Sequence, residues 1–437
     1  MNTKVEQYNH KYINRFCTKY IWFSSLTGDL VFWAIVDTLF VTIVKGLSAT
    51  QITLLTTIPA AIGIIIQPYL LKMIHKMGNT TSVRLGAFSL LISAILLTFG
   101  NTFSLLVLGR LFHEIAFVVK NMEGIMLKNN LIYAKREDEY VHVRNQSNVA
   151  YAVITAVIAL GTGYLFNVNH YLPMLLNILL CLFCFLLSLT MKDITKNDKI
   201  PEVKVQQATG KISMIVYIAI LSYAFFYTAV NIGQSNSKLF IQYQLGDYFE
   251  EAVTASYFSF IILISRIARI ISNVLFDKLY RTLKDKINIA LTASLILAFL
   301  LIIIGYFIKQ DIFLKIGIMS AGFFIILAIR DPFKIYIQDL ILKITEPKEQ
   351  QAIFSHLELA KKIGQTVVGF VVSAVLLKFS LIWIIVGITI ISLMTLKTTL
   401  RLFELVKRMQ NSSSKPRKYN RKLTKLHQYD TIKTRIM

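Results

Sequence analysis

Ionisable side chains stand inside stretches of this sequence that are otherwise apolar enough to enter a lipid bilayer. Asp29 and Asp37 fall in a run over 20–45, and Arg110, His113, Glu114, Lys120 and Glu123 in one over 103–133. Arg266 and Arg269 fall in 251–276, and Arg330, Asp331 and Lys334 in 314–342. A charge at a helix centre costs about 2.5–3.5 kcal/mol on the insertion scale, so lipid exposure of the whole set would cost roughly 30 kcal/mol, far beyond ordinary protein stability. These residues must therefore face one another or a wet cavity. The chemistry open to them is the binding of a polar or charged solute, with the mid-depth candidates Asp29, Asp37, Lys120, Asn231, Gln234, Arg266, Arg330, Asp331 and Lys334. A carboxylate desolvated in such a cavity can also titrate, and Asp37 and Glu114 are the candidates for proton coupling. Arg110 and the charges closer to the basic ends (Asp277, Lys278, Arg281, Glu358, Lys362) read as structural pairs that close a gate between two halves.

Helical spacing supports a shared cavity. In the seventh apolar run Tyr223, Tyr227, Asn231, Gln234 and Lys238 follow one stripe, and Arg266, Arg269, Asn273 and Asp277 follow another in the eighth. Glu358, Lys362, Gln365 and Gly369 share a face in the eleventh, as do Arg110, Glu114, Asn121 and Lys128 in the fourth. No H-E-x-x-H, G-x-S-x-G or G-x-x-x-x-G-K-[ST] pattern is present, which argues against an enzyme, an ATP-driven pump and any cofactor. The three cysteines, Cys17, Cys181 and Cys184, have no second pair or nearby histidine to complete a metal site and read as buried apolar residues.

The elements that must position these residues are membrane helices. Of the 437 residues 55% are hydrophobic and 16% charged, and the mean hydropathy is +0.58. Soluble domains average about 45–50% apolar and about 25% charged, so the chain is displaced toward lipid on both counts. Apolar runs of span length fall at 20–45, 50–72, 82–100, 103–133, 145–167 and 170–191. After a polar linker at 192–210 they resume at 211–240, 251–276, 286–308, 314–342, 351–377 and 380–405. The expected fold is an all-α polytopic membrane protein of about twelve transmembrane helices: a half over 1–191, the linker, a half over 211–406 and a basic tail over 407–437. The first run is too long for the apolar core of a signal peptide and should remain as a span. Pro59 and Pro68 in the second run and Pro332 in the tenth should kink their helices.

The net charge of +23 does not point to nucleic acid, because the cations sit between apolar runs and in the tail. One set of loops carries Lys72, Lys76, Arg84, Lys135, Arg136, Arg144, Lys192, Lys278 and Arg281, whereas the opposite set is short and nearly free of cations. Basic loops stay in the cytoplasm, so both termini are expected there. The tail, with Lys407, Arg408, Lys415, Arg417, Lys418, Arg421, Lys422 and Lys425, could meet anionic lipids or act only as a topology signal. Abundant Ile and Lys suggest an A/T-rich bacterial genome and a bacterial plasma membrane.

The halves also repeat at an offset of about 205–210 residues, laying Lys120-Asn121 over Arg330-Asp331 and Gly161 over Gly369. The chain here resembles the major facilitator superfamily, whose G-x-x-x-D-R-x-G-R-R signature follows the second and eighth spans. The second copy is Asn273-Val274-Leu275-Phe276-Asp277-Lys278-Leu279-Tyr280-Arg281; the first, Pro68-Tyr69-Leu70-Leu71-Lys72-Met73-Ile74-His75-Lys76, lacks the acid. Arg110-Leu111-Phe112-His113-Glu114 resembles the family's R-x-x-Q-G element, and the fifth span lacks the G-P pair of the drug-antiporter branch. The resemblance implies two pseudo-symmetric six-helix halves with spans 1, 4, 7 and 10 lining a cavity and spans 3, 6, 9 and 12 as outer scaffold. It implies secondary active transport of a small solute by alternating access, as symporter or antiporter, with a proton or another ion as coupling species. Two alternatives stay open: a flippase or drug efflux pump of the same fold, and a non-transporting receptor or assembly partner.

Overall fold

The computed structural model describes residues 2–120, 122–136, 139–194, 213–345 and 347–413. A backbone crossing hydrocarbon must satisfy its own polar groups, and the described residues accordingly fold into helices connected by short turns. They are α1 (Asn2–Leu26), α2 (Trp33–Leu39), α3 (Ala49–Met77), α4 (Asn79–Phe99), α5 (Phe103–Lys120), α6 (Met122–Tyr133), α7 (Tyr140–Val168) and α8 (Leu172–Leu189) in the first half. The second half holds α9 (Met214–Gly246), α10 (Glu251–Leu283), α11 (Ile287–Phe307), α12 (Ile312–Ile344), α13 (Pro347–Leu376) and α14 (Leu381–Ser413). Ten of these are long and apolar enough to cross a membrane. The protein is thus a multi-pass membrane protein. Residues 195–212, which take in most of the linker expected at 192–210, Asn121, the side chain of Asp277 and the part of the expected tail beyond Ser413 lie outside the described residues.

The run at 20–45, expected as one span, is two helices. α1 ends at Leu26, residues 27–32 are non-helical, and α2 passes at its far end into a π-helical turn over Phe40–Val44. The cause is local chemistry. Gly28 carries a helix penalty of about 1 kcal/mol, and Asp29 turns its carboxylate onto the Leu30 N–H at 2.8 Å. Two other helices satisfy the opened backbone: Lys120 Nζ donates to the Thr27 carbonyl at 2.6 Å, and the Phe32 N–H donates to Asn177 Oδ1 at 3.3 Å. The run at 103–133 likewise forms α5 and α6.

The expected proline kinks are not breaks, since α3 continues through Pro59 and Pro68 and α12 through Pro332. At Pro332 the missing N–H frees the carbonyl four residues back, and Ser272 Oγ of α10 donates to that Ala328 carbonyl at 2.7 Å. The proline defect therefore staples α10 to α12.

The scaffold helices face lipid with large apolar side chains: Phe88 on α4, Leu179 and Leu186 on α8, Leu297 and Ile304 on α11, Trp383 and Ile390 on α14. The halves meet along α3 with α13, along α7 with α10, and where α2 touches α9 and α10. α5 and α12 form no comparable seam, and Asp29, Lys334 and Glu358 keep 37, 44 and 38% of their side-chain surface exposed, which marks an open cleft between the halves.

Two seams close on glycine. A Cβ on Gly369 of α13 would meet Thr57 Cγ2 of α3 at 2.9 Å, and one on Gly163 of α7 would meet Ser259 Oγ of α10 at 2.8 Å. Gly161, two residues earlier and on a different face of α7, has open space around it. Gly369→Val should therefore destabilise the protein by about 1–3 kcal/mol through overpacking, whereas Gly161→Ala should be neutral or stabilising by up to about 1 kcal/mol. Thermal unfolding in detergent compares the two, and equal effects would mean that the seam does not depend on close approach.

Candidate functional site

The first-half wall of the cleft is built on the break after α1. Asp29, 37% exposed at its side chain, meets His113 Nε2 of α5 at 3.1 Å, and His113 stacks on Phe117 with ring centroids 4.7 Å apart. Arg110, one turn earlier on α5, acts on Asp29 electrostatically without a hydrogen bond to it. Glu114, on the same helix, reaches across the cleft to Lys362 of α13 at 3.7 Å. Lys120 is only 3% exposed and its ammonium is engaged by Thr27, so it braces the break instead of facing the cleft.

The second-half wall is a connected network. Tyr223 Oη donates to Glu358 Oε1 at 2.9 Å, Tyr227 Oη donates to the Arg330 carbonyl at 2.8 Å, and Arg330 Nη1 donates to Gln234 Oε1 at 3.3 Å. Lys361 bonds Glu358 and lies 5.6 Å from the centre of the Tyr227 ring, while Lys334 stands 3.9 Å from Glu358. Asp331 is held by Arg269 in a bidentate pair at 2.6 and 3.1 Å, with Asn273 adding a third bond at 3.2 Å. Planar bidentate pairing of this kind is the strongest geometry available to a carboxylate and a guanidinium. Arg266 is 8% exposed and its Nε has no hydrogen-bond partner among the described residues. Its electrostatic neighbours come from both halves: Tyr151 and Asp29 on one side, Arg269 and Arg330 on the other.

At the cation-poor end the two walls are joined. Lys238 of α9, 5% exposed, forms an ion pair with Asp37 of α2 and donates to the Ala34 carbonyl at 3.0 Å. Gln242 donates to Thr42 Oγ1 at 2.6 Å, Asn167 to the Ala252 carbonyl at 3.0 Å, and His170 stands 2.8 Å from Glu251. Lys362–Glu114 lies deeper, about 20 Å down α13 from its cation-poor end at 1.5 Å per residue.

The structure thus gathers Asp29, Asn231, Gln234, Arg266 and Arg330 around the middle of the bundle. It binds Asp331 to Arg269 within the second half, and it places Lys278 and Arg281 at the exposed basic end of α10. Glu358, expected to bridge the halves, pairs within its own half. Sequence reasoning did not find the roles of His113 and Ser272, whose partners are distant in sequence and on another helix.

No protein-family model and no curated relative matches the sequence. Solved structures do. The nucleoside transporter NupG superposes with a TM-score of 0.64 at 13% identity, covering 90% of this chain and 98% of that one. An aspartate-to-alanine variant of NupG gives 0.65 at 13%, covering 90% and 99%. A bacterial homologue of the iron transporter ferroportin, in its inward-facing state, gives 0.62 at 13%, covering 90% and 98%. The chain has the major facilitator fold. Within that fold α1 with α2 forms the first span and α5 with α6 the fourth, so the cleft is walled by spans 1, 4, 7 and 10 together with spans 8 and 11.

The Asp37–Lys238 pair is asymmetric, since Lys238 is buried while the Asp37 side chain is 34% exposed. Asp37→Asn strands a buried ammonium and should cost about 3 kcal/mol, whereas Lys238→Met leaves a partly hydrated carboxylate and should cost less. A double-mutant cycle on thermal stability reads this out. Equal penalties from the two single substitutions would show that the pair is not a desolvated link between the halves.

Proposed function

We propose that the protein is a secondary active transporter of a small polar or charged solute, and that the central cleft is its alternating-access site. The observation that carries this reading is the distribution of links between the halves. Among the described residues the bonds joining them lie at the cation-poor end, with Lys362–Glu114 at mid-depth, while the charged walls of spans 4 and 10 stand apart. With the basic loops in the cytoplasm, the cleft opens inward. The neighbours in fold are a nucleoside transporter and a homologue of an iron transporter, the latter inward-facing.

Asp29, Asn231, Gln234, Arg266, Arg330 and Lys334 supply the polar surface for the solute. Asp37 and Glu114 suit coupling because each carries an ion pair that crosses between the halves. Protonating either carboxylate removes that attraction and lets the halves part, which ties a proton to the conformational cycle. The six- and six-helix halves then rock about the glycine-lined seams.

Ser235, exposed on α9 beside Gln234, offers a reporter. In a protein with Cys17, Cys181 and Cys184 replaced, Ser235→Cys in oriented liposomes should react with an impermeant maleimide from the cytoplasmic side. Adding Asp37→Asn should shift reactivity toward the opposite side. Simultaneous labelling from both sides would indicate a continuous pore, and labelling unchanged by Asp37→Asn would remove the alternating-access reading.

A further inference from the structure

Every carboxylate on the cleft walls already has a basic partner, but not every cation has an acidic one. Asp29 is taken by His113, Asp331 by Arg269 and Glu358 by Lys361, and the two carboxylates that cross between the halves are taken by lysines. Arg110, Arg266 and Arg330 are left with no carboxylate at bonding distance; Arg110 acts on Asp29 within its own half, which leaves Arg266 and Arg330 as the pair in the second half. Arg266 makes no hydrogen bond among the described residues, and Arg330 uses its side chain only on the Gln234 amide. Their positions are specific. Asn231, Arg266 and Arg330 each lie within two residues of the midpoint of a 33-residue helix, namely α9, α10 and α12.

A buried lysine can relieve such a situation by losing its proton. A guanidinium cannot, so the positive charge at this depth is permanent. An uncompensated buried charge is among the most destabilising features a fold can carry, and one retained at the centre of a cleft belongs to a ligand of opposite sign. Guanidinium groups match oxyanions in particular, since their paired N–H donors fit two oxygens of one carboxylate or phosphate.

We propose that the cleft binds a small organic oxyanion, a carboxylate or a phosphate ester, between Arg266 and Arg330 of the second half. This rests on the transporter reading and names its substrate class. The carboxylates of Asp29 and Asp331 do not substitute for the ligand, because each is already held by its own partner. A neutral nucleoside leaves both arginines uncompensated, and a metal cation is repelled by them. No cluster of three or more His, Cys, Asp or Glu among the described residues could hold such a cation. Asn231, without a hydrogen-bond partner among the described residues, adds a neutral donor and acceptor beside the anion for the rest of the molecule.

The test uses the full-length protein in detergent at fixed ionic strength and pH. Thermal unfolding is followed with inorganic phosphate, glycerol 3-phosphate, succinate, uridine and cobalt(II) chloride. The expected result is stabilisation by at least one oxyanion and by neither uridine nor cobalt. Phosphate and glycerol 3-phosphate acting alone would assign a phosphate ester, and succinate alone a carboxylate. Arg266→Gln and Arg330→Gln should fold with ligand-free unfolding temperatures equal to or above the parent. Their oxyanion affinity should fall about ten- to a hundredfold, as loss of a charge-assisted hydrogen bond does. Arg266→Lys keeps the charge and loses the fork, so it should bind with intermediate affinity. No stabilisation of the parent by any of the three oxyanions would overturn the site. So would a response that survives in both glutamine variants, or a ligand-free Arg266→Gln that unfolds well below the parent, which would make Arg266 architectural. Uptake into liposomes separates the two readings. Uridine transport without oxyanion binding sinks the anion site and keeps the transporter; oxyanion binding without uptake keeps the site and sinks the transporter.

Discussion

An ionised side chain carried into hydrocarbon must find water or a partner, and the architecture of this chain follows from how that demand is met. Where the partner comes from the same half, the result is a rigid wall: Arg269 with Asp331, Lys361 with Glu358, and Lys120 with the Thr27 carbonyl. Where the partner comes from the other half, the result is a link between the halves: Lys238 with Asp37 and Lys362 with Glu114. Both kinds of pair answer the same solvation demand. What distinguishes them is which helices they join, and that decides whether a pair stiffens one wall or ties the two halves together.

Breaking the first span extends the same logic to the backbone. A continuous helix from 20 to 45 would hide its amides and offer the cleft only side chains. The interruption at 27–32 frees peptide groups at mid-depth, and the buried side chains of Lys120 and Asn177 satisfy them. Asp29 is thereby presented by a non-helical segment whose position is fixed by two other helices. The π-helical turn at Phe40–Val44 adds a second irregularity next to the Asp37–Lys238 pair, so the first span has two irregular segments flanking its link to the other half.

How far this was legible in the sequence depends on the range of the interaction. Apolar runs, their separation by basic and cation-poor loops, and the polar stripe on α9 are local patterns, and the helices stand where those patterns put them. The break in the first span was not legible, because Gly28 and Asp29 are a brief interruption in a run that resumes at Leu30, and periodicity averages over them. Asp193 was read as part of the linker, since a charged residue after an apolar run ordinarily marks an exposed loop. It is instead buried, accepting hydrogen bonds from Asn79 and Asn129, and it ties the end of α8 back to α4 and α6. Pairing was legible only as a requirement. Spacing shows which face of a helix a charge occupies, but Lys238 and Asp37 are 201 residues apart, and nothing local selects one acid over another.

The two walls do not divide the chemistry evenly. The first half brings an acid and an imidazole to the cleft through Asp29 and His113, 3.1 Å apart. The second half brings guanidinium groups, which cannot change their charge. A fixed charge is suited to recognising a ligand, because its attraction is the same in every conformation that keeps it near the cleft. Because Arg269 is bonded to Asp331 and Arg330 to Gln234 within one half, the guanidinium wall keeps its internal geometry independently of the first half.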